Sequence, residues 1–337
     1  MTNLRIVHYQ RRRRGASNFS LEFIFEDLRR RVGERLRIEA VVAPFVSQGF
    51  FRRLIITLHA WWYQGDITHI TGDITFAALL LSPRNTIITV LDCGILYRKK
   101  GIQRWLIKKI WFDWPMARCR WITTISHSSA NDIAQQCDVD IEKLKVIPVS
   151  ISESFQYCPK NFDDKCPRIL QVGTAPNKNI ERVIQALQGI PCTLVIIGRI
   201  SNELEEKLEA ANIKYENFHS LSQEEVIKEY ELADLVCFVS TYEGFGMPIL
   251  EAQATGRVVV TSDCFSMPEV AGQGALLANP ESIPSIREAI LRVIQDAALR
   301  KQLIENGIKN IRRFRGDVIA LQFEDLYRSF QLANKLN

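Results

Sequence analysis

The sequence predicts an α/β protein built from two doubly wound, Rossmann-like parallel sheets, one per domain, facing a cleft. Three observations predict it. The chain has 337 residues, and at about 100–200 residues per domain that length suggests two domains. Short apolar runs alternate with amphipathic ones along the whole chain, the pattern of parallel βαβ units. A polar stretch with two prolines, residues 154–167, separates two such sets.

In the first set, residues 4–7 read as a strand and residues 19–30 as a helix, with Ser17 or Asn18 as its cap. Strands follow at 38–43, 68–70 and 86–90, with a short helix after Gly72-Asp73. Residues 121–125 and 145–147 are further strands, with a helix beginning near Ser126. In the second set the strands are 168–172, 193–197, 235–239, 258–260 and 275–277. The helices there are 178–187, 203–211, 224–233, 247–254 and 284–293, and the run 318–336 is amphipathic and helical. The domains are placed at 1–160 and 161–316, with 317–337 as a terminal helix. Open parallel sheets bind ligands at the carboxyl ends of their strands, so two facing edges suit two substrates.

Composition narrows the class. Hydrophobic residues are 47% and charged residues 24%, as in an ordinary globular protein. No apolar run reaches the roughly 18 residues of a membrane span. The N-terminus passes directly into Arg11–Arg14 without the apolar core of a signal peptide, so a cytoplasmic location is expected. The eight cysteines are scattered and form no C-x-x-C pair, which reads as free thiols and argues against a zinc site. Residues 1–165 hold 25 Lys/Arg against 16 Asp/Glu, and the rest of the chain holds 18 against 22. The first domain is therefore expected to face something anionic.

The most informative stretch is EGFGMPILE, Glu243 to Glu251. An apolar strand runs into a loop with Gly244 and Gly246 and then into a helix, with Pro248 in its first turn. The glycines let the backbone approach a ligand, and a helix start points free N–H groups at it, which suits a diphosphate. Glu243 lies in the loop beside whatever the phosphates hold, and Glu251, one turn into the helix, suits a ribose diol. By loop geometry alone the same residues also fit a glycine turn with two solvated glutamates.

The segment STYEGFGMPILEAQATGRVVVTSDCFSMPEVAGQGALLANP resembles the donor-site region of family 4 retaining glycosyltransferases (glycosyl transferases group 1), which have the GT-B fold. The resemblance rests on the two glutamates with seven residues between them, the small-residue helix EAQATG and the PEVAG turn, and it extends to ILQVGTAPNKNIERVIQAL and LVIIGRIS. HITGDITF, TIITVLDC, ITTISHSSANDI and KLKVIPVSISESF match more loosely in the first half. The resemblance implies that the terminal helix crosses back to the first domain. It implies that Glu251 binds the ribose, that Glu243 sits near the reacting centre, and that the amides of Gly244, Phe245, Gly246 and Met247 hold sugar and diphosphate. It also implies that Lys178 neutralises the leaving diphosphate, so that no metal or other cofactor is needed.

Two positions depart from the family pattern. Many relatives have an arginine where this chain has Thr174, and Arg199 is then the candidate for the second positive charge at the donor. Relatives often read His-Asp where this chain has Leu91-Asp92, which leaves Asp92 as the polar group at that strand end, either catalytic or a loop aspartate. Acceptor-side candidates are His69, Asp73 and the loop Gly15, Ala16 and Ser17, beside an arginine run that is equally a solvated charge run. Residues 97–121 combine Arg98, Lys99, Lys100, Arg104, Lys108 and Lys109 with Trp105, Trp111 and Trp114, which reads as a basic amphipathic helix. That composition suits an anionic membrane surface or simple packing on the sheet, and no nucleic-acid module accompanies it.

The resulting expectation is a hexosyltransferase moving a sugar from a UDP- or GDP-sugar to a glycan or lipid-linked acceptor in bacterial surface polysaccharide synthesis. The alternatives are a catalytically weak sugar-nucleotide-binding protein of the same fold, or a GT-B sugar-nucleotide epimerase.

Overall fold

Two six-stranded sheets, every strand pair parallel, organise the computed structural model, which describes residues 4–12, 20–33 and 35–335. The first contains β1 (Ile6–Gln10), β2 (Ile38–Val42), β3 (Ile67–Ile70), β4 (Thr86–Thr89), β5 (Trp121–Thr124) and β6 (Leu144–Val146), in the order β2-β1-β3-β4-β5-β6. The second contains β7 (Arg168–Val172), β8 (Thr193–Ile197), β9 (Lys214–Phe218), β10 (Leu235–Phe238), β11 (Val258–Ser262) and β12 (Leu276–Ala278), in the order β12-β11-β10-β7-β8-β9. They belong to two units, Met1–Ser150 with Gly316–Asn337, and Ile151–Arg315.

Each order reverses once, between β1 and β3 in the first unit and between β10 and β7 in the second. Loops leaving adjacent strands at such a point diverge to opposite faces and leave a crevice at the carboxyl edge. Helices cover both faces, so central strands are apolar throughout: all four residues of β10, LVCF, are buried. The helix Ile180–Leu187 shows how the layers lock, burying Ile180, Val183, Ile184, Ala186 and Leu187 against the second core. Each large aliphatic side chain removed from water in this way contributes about 1.5–3 kcal/mol.

The helix Gly316–Lys335 packs within the first unit on the helix Ser20–Val32. Phe323 meets Phe25 edge-on at 5.7 Å, and the Tyr327 hydroxyl lies 2.8 Å from both His8 Nε2 and His69 Nδ1.

Several elements differ from the sequence expectation. The first strand is Ile6–Gln10 rather than 4–7, because His8 and Tyr9 are buried in the sheet despite their polar atoms. The helix Phe50–Trp62 has no counterpart in that expectation: its exposed side carries Phe51, Leu54, Ile55, Leu58, Trp61 and Trp62, so no charged face marks it as a surface helix. The edge strand β9 escapes for the opposite reason, since KYENF has no apolar run and its Glu216 faces Arg168 at 2.8 Å. The helix Ala297–Asn310 is likewise unanticipated, with only Leu303 and Gly307 buried. Within residues 97–121 a single helix covers only 101–118 and runs without a break through Gly101–Ile107, a wide π-type stretch Lys108–Asp113 and Trp114–Arg118, with Pro115 at the start of the last.

Candidate functional site

The second unit's reversal point carries the chemistry. β7 runs into Gly173, whose φ of 91° lies in the left-handed region. A Cβ there would stand 3.0 Å from Lys178 Cε, so the glycine leaves room for the lysine stem to fold over it. Lys178 closes the short 3₁₀ turn Pro176–Lys178 instead of opening the next helix, which starts only at Ile180 after a left-handed Asn179. Asn179 is buried, and its Nδ2 donates to Val239 O at 3.0 Å and Pro280 O at 2.7 Å. Thr241 N donates to Asn177 O at 2.8 Å. The β7 turn is thereby pinned to the end of β10.

Across the reversal point, Lys178 Nζ donates to Glu243 Oε1 at 2.6 Å and lies 4.7 Å from the Phe238 ring centroid. Asn177 Nδ2 lies 3.2 Å from the same oxygen and 3.0 Å from Tyr242 O. Ser266 Oγ lies 2.9 Å from Glu243 O and 2.8 Å from Phe245 O, its hydroxyl shared between the two carbonyls. The loop is therefore held from behind by a buried serine. Gly246 turns the chain at φ 105° into the helix Met247–Thr255, with Phe245 buried and Gly244 and Met247 half-buried beside it. The first-turn amides of such a helix have no intrahelical acceptor and attract anions.

Glu251 lies one turn inside that helix. Its Oε2 accepts a 2.5 Å hydrogen bond from the hydroxyl of the fully buried Tyr230, whose ring is backed edge-on by Phe155 at 5.5 Å. Burial pushes the carboxyl above its usual range, against the opposing pull of the Tyr230 hydroxyl and the Lys178 charge. Lys178 thus acts on both glutamates. Thr174 Oγ1 donates to Arg199 O at 2.7 Å and packs on Gly198, which ties the β7 and β8 loops together. The Arg199 side chain is exposed.

The first unit holds a cavity of about 880 Å³ at the carboxyl end of β4, lined by Asp92, Leu91, Asp73, Arg53, Trp111 and Ile110 among others. Asp92 Oδ1 accepts from Gly94 N at 2.7 Å, the bond of a loop aspartate, while the residue still lines the cavity. Asp73 pairs with Arg11 at 3.3 Å, and Arg11 also binds the buried Glu22 at 2.7 Å. His69 does not sit at an open strand end. It is fully buried, with Nδ1 on Tyr327 and Nε2 2.7 Å from Thr89 Oγ1, and burial pulls its pKa down to about 3. It is a neutral core residue tying β3 to β4 and to the terminal helix, which corrects its acceptor-side assignment. Gly15, Ala16 and Ser17 lie outside the described residues.

Asn177, Asn179, Tyr230 and Ser266 belong to the site and are absent from the sequence-derived set. The Asn-Lys-Asn triplet after a proline is a visible turn signal for the first two. Tyr230 and Ser266 reach the site only through tertiary packing, which no local spacing reveals. Among the described residues, no group of three or more His, Cys, Asp or Glu side chains is placed to hold a metal ion. The arrangement offers one half-buried cation, helix-start amides and two differently held carboxylates around one crevice.

Residues 157–310 match the family described as Glycosyl transferases group 1. O-antigen chain mannosyltransferase B of Escherichia coli is 26% identical over 266 residues, covering 72% of this chain and 68% of that protein. O-antigen chain mannosyltransferase RfbU of Salmonella typhimurium is 30% identical over 224 residues, covering 63% of this chain and 62% of that protein. Among solved structures, sucrose-phosphate synthase from Thermosynechococcus elongatus superposes with a TM-score of 0.78 at 16% identity, covering 98% of this chain and 100% of its own. Anabaena HepE in complex with UDP and glucose gives 0.76 at 16% identity, covering 97% and 100%. With the reversal-point geometry and these likenesses together, the chain as a whole has the GT-B fold, and residues 157–310 within its second unit are similar to the glycosyl transferases group 1 family.

Proposed function

We propose that the protein is a retaining hexosyltransferase of the family 4 type. It moves a sugar from a UDP- or GDP-sugar to a hydroxyl of a glycan or lipid-linked acceptor in bacterial surface polysaccharide synthesis. The observation that carries this reading is the Lys178–Glu243 pair, 2.6 Å apart, between a glycine-ended strand and a helix start. A departing nucleoside diphosphate gathers negative charge, and a fixed cation with helix-start amides stabilises it as it forms. Donor binding would exchange the Glu243 carboxylate on Lys178 for the diphosphate and leave Glu243 beside the sugar. Glu251, oriented by Tyr230, accepts the ribose hydroxyls, and Arg199 and Thr174 sit at the flank. Bond making is front-sided: the acceptor oxygen attacks the anomeric carbon, the carbon–diphosphate bond breaks, and the acceptor proton passes to the departing diphosphate oxygen. No metal takes part in this scheme, because Lys178 supplies the positive charge.

The first unit supplies the acceptor side through Asp92 and Asp73 in its cavity. The protein works at the cytoplasmic face of the membrane, with the basic residues of 97–121 meeting anionic headgroups. No helix among the described residues is long and apolar enough to cross a membrane. The test is turnover of a nucleotide-sugar panel with and without EDTA. It is headed by GDP-mannose, since the two curated relatives are named mannosyltransferases, and by UDP-glucose, since a HepE structure contains it. Binding without transfer or hydrolysis of any donor would leave a sugar-nucleotide-binding protein, and strict metal dependence would overturn the charge role given to Lys178.

A further inference from the structure

The helix Phe50–Trp62 has two apolar faces and uses one. Ile56, Thr57 and Ala60 are buried against the first core. On the opposite side Phe51, Leu54, Ile55, Leu58, Trp61 and Trp62 repeat at three- and four-residue spacing and are all exposed, Phe51 by 78% and Trp62 by 76%. A surface helix of a globular protein ordinarily turns charge, not a second aromatic stripe, to water.

The surroundings select the occupant. Residues 43–65 and 93–112 together contain eight Lys/Arg and no Asp/Glu. The two segments meet where Arg53 stacks 4.7 Å over the Trp111 ring. Lys108 and Lys109 share the one carboxylate of Asp113 at 2.8 Å, and Arg52, Arg98, Lys99 and Lys100 are the exposed cations of this surface. The helix Gly101–Ile107 adds exposed Ile102, Trp105 and Leu106. A second copy of the chain packing on this face would set a basic patch against its own image, which is electrostatically unfavourable. An anionic bilayer instead offers phosphates to the cations and an acyl boundary to the rings, and tryptophan concentrates at that boundary.

We infer that the outer face of Phe50–Trp62 inserts into the interface of an anionic bilayer, with the neighbouring cations at headgroup level. This adds an apolar anchor to the electrostatic contact proposed for residues 97–121 and does not depend on which sugar is transferred. The helix lies in the interface and does not cross it.

The test is co-sedimentation of the full chain with vesicles of phosphatidylcholine alone or mixed with phosphatidylglycerol. The chain should pellet with the mixed vesicles, and salt should weaken the binding without abolishing it, because screening acts on the charges and not on ring insertion. F51E together with W62E should lower partitioning by about tenfold or more while soluble-donor turnover is unchanged. Should that variant fail to fold, the conservative W61F/W62F pair serves: brominated acyl chains should quench wild-type tryptophan fluorescence and quench the pair markedly less. Absence of pelleting, or equal quenching in both proteins, overturns the inference. So does a lipid-free dimer that F51E/W62E makes monomeric. Loss of binding in K99E/K100E but not in F51E/W62E would leave the basic contact standing and remove the inserted helix.

Discussion

The two sheets reverse strand order at corresponding places and equip the reversals differently. Between β7 and β10 the loops bring a half-buried lysine, a glycine turn and a helix start onto one crevice. Between β1 and β3, among the described residues, Arg11 bridges Glu22 and Asp73, and the polar atoms beneath are engaged inside the core by His8, His69 and Tyr327. The first unit's open space lies one strand further on, beyond β4, walled by aliphatic and indole side chains together with Asp73, Asp92, Arg53, Arg98 and Lys99. Topology marks where a crevice forms, and loop residues decide whether it takes a phosphate.

The strongest way to break that contrast is to remove the cation. Lys178→Ala should lower kcat by roughly 10²–10³ with a much smaller change in nucleotide affinity, measured by steady-state transfer and by calorimetry with the nucleoside diphosphate. An unchanged kcat would reduce Lys178 to a packing partner of Phe238.

Acid should separate the units next. The pKa of His69 is about 3 in the folded protein against 6.5 in the unfolded chain. Above pH 6.5 the ring is neutral in both states. Below it, the unfolded chain takes up a proton that the folded one refuses, so stability falls as pH drops from 6.5 towards 3. At pH 5 this amounts to about 2 kcal/mol from His69, and His8, lowered by burial and by the neighbouring His69 and Arg29, shifts in the same direction. Glu251 in the second unit has a raised pKa, and its linkage has the opposite sign: it favours the folded state on the acidic side and loses that contribution as pH rises through its folded pKa. Thermal melts between pH 7.5 and 5, at steps chosen with the group pKa values in mind, should show the first unit's transition moving down further than the second's. Parallel movement would contradict the assignment of the acid-sensitive core to the first unit.

Two smaller effects sharpen the comparison. Asp92→Asn should raise the acceptor KM by about tenfold and leave donor hydrolysis intact, since the residue lines the first unit's cavity only. Tyr230→Phe should weaken nucleotide binding by about three- to tenfold. Losing a hydrogen bond that favours the carboxylate should also move the acidic limb of binding to higher pH. A binding loss with an unmoved pH profile would make Tyr230 a packing residue rather than an orienting one.

Much of this was legible in the chain. Residues 168–172 and 193–197 coincide with β7 and β8, because buried parallel strands must be short continuous apolar runs. The Glu243–Glu251 spacing is readable because loop and helix are contiguous. Tyr230 was not, since it reaches Glu251 from a helix 21 residues earlier in the chain. His69 misled because a histidine in a short apolar strand looks alike whether its partners are substrate or, as here, a tyrosine 258 residues away. The helix Phe50–Trp62 stayed hidden because its exposed side is itself aromatic and aliphatic, so no charged face set it apart as a surface helix.

That tyrosine sets an order of events during synthesis. Residues 151–315 form a unit continuous in sequence and have all their strands once Arg315 is made. The first unit, begun earlier, still lacks Phe323, Tyr327 and Phe330, which close its core from the terminal helix. Domains emerging from the ribosome ordinarily fold from the N-terminus onwards. Here the later-born domain is the first able to finish, and the earlier one must wait with its histidine pair uncapped until Tyr327 has been made.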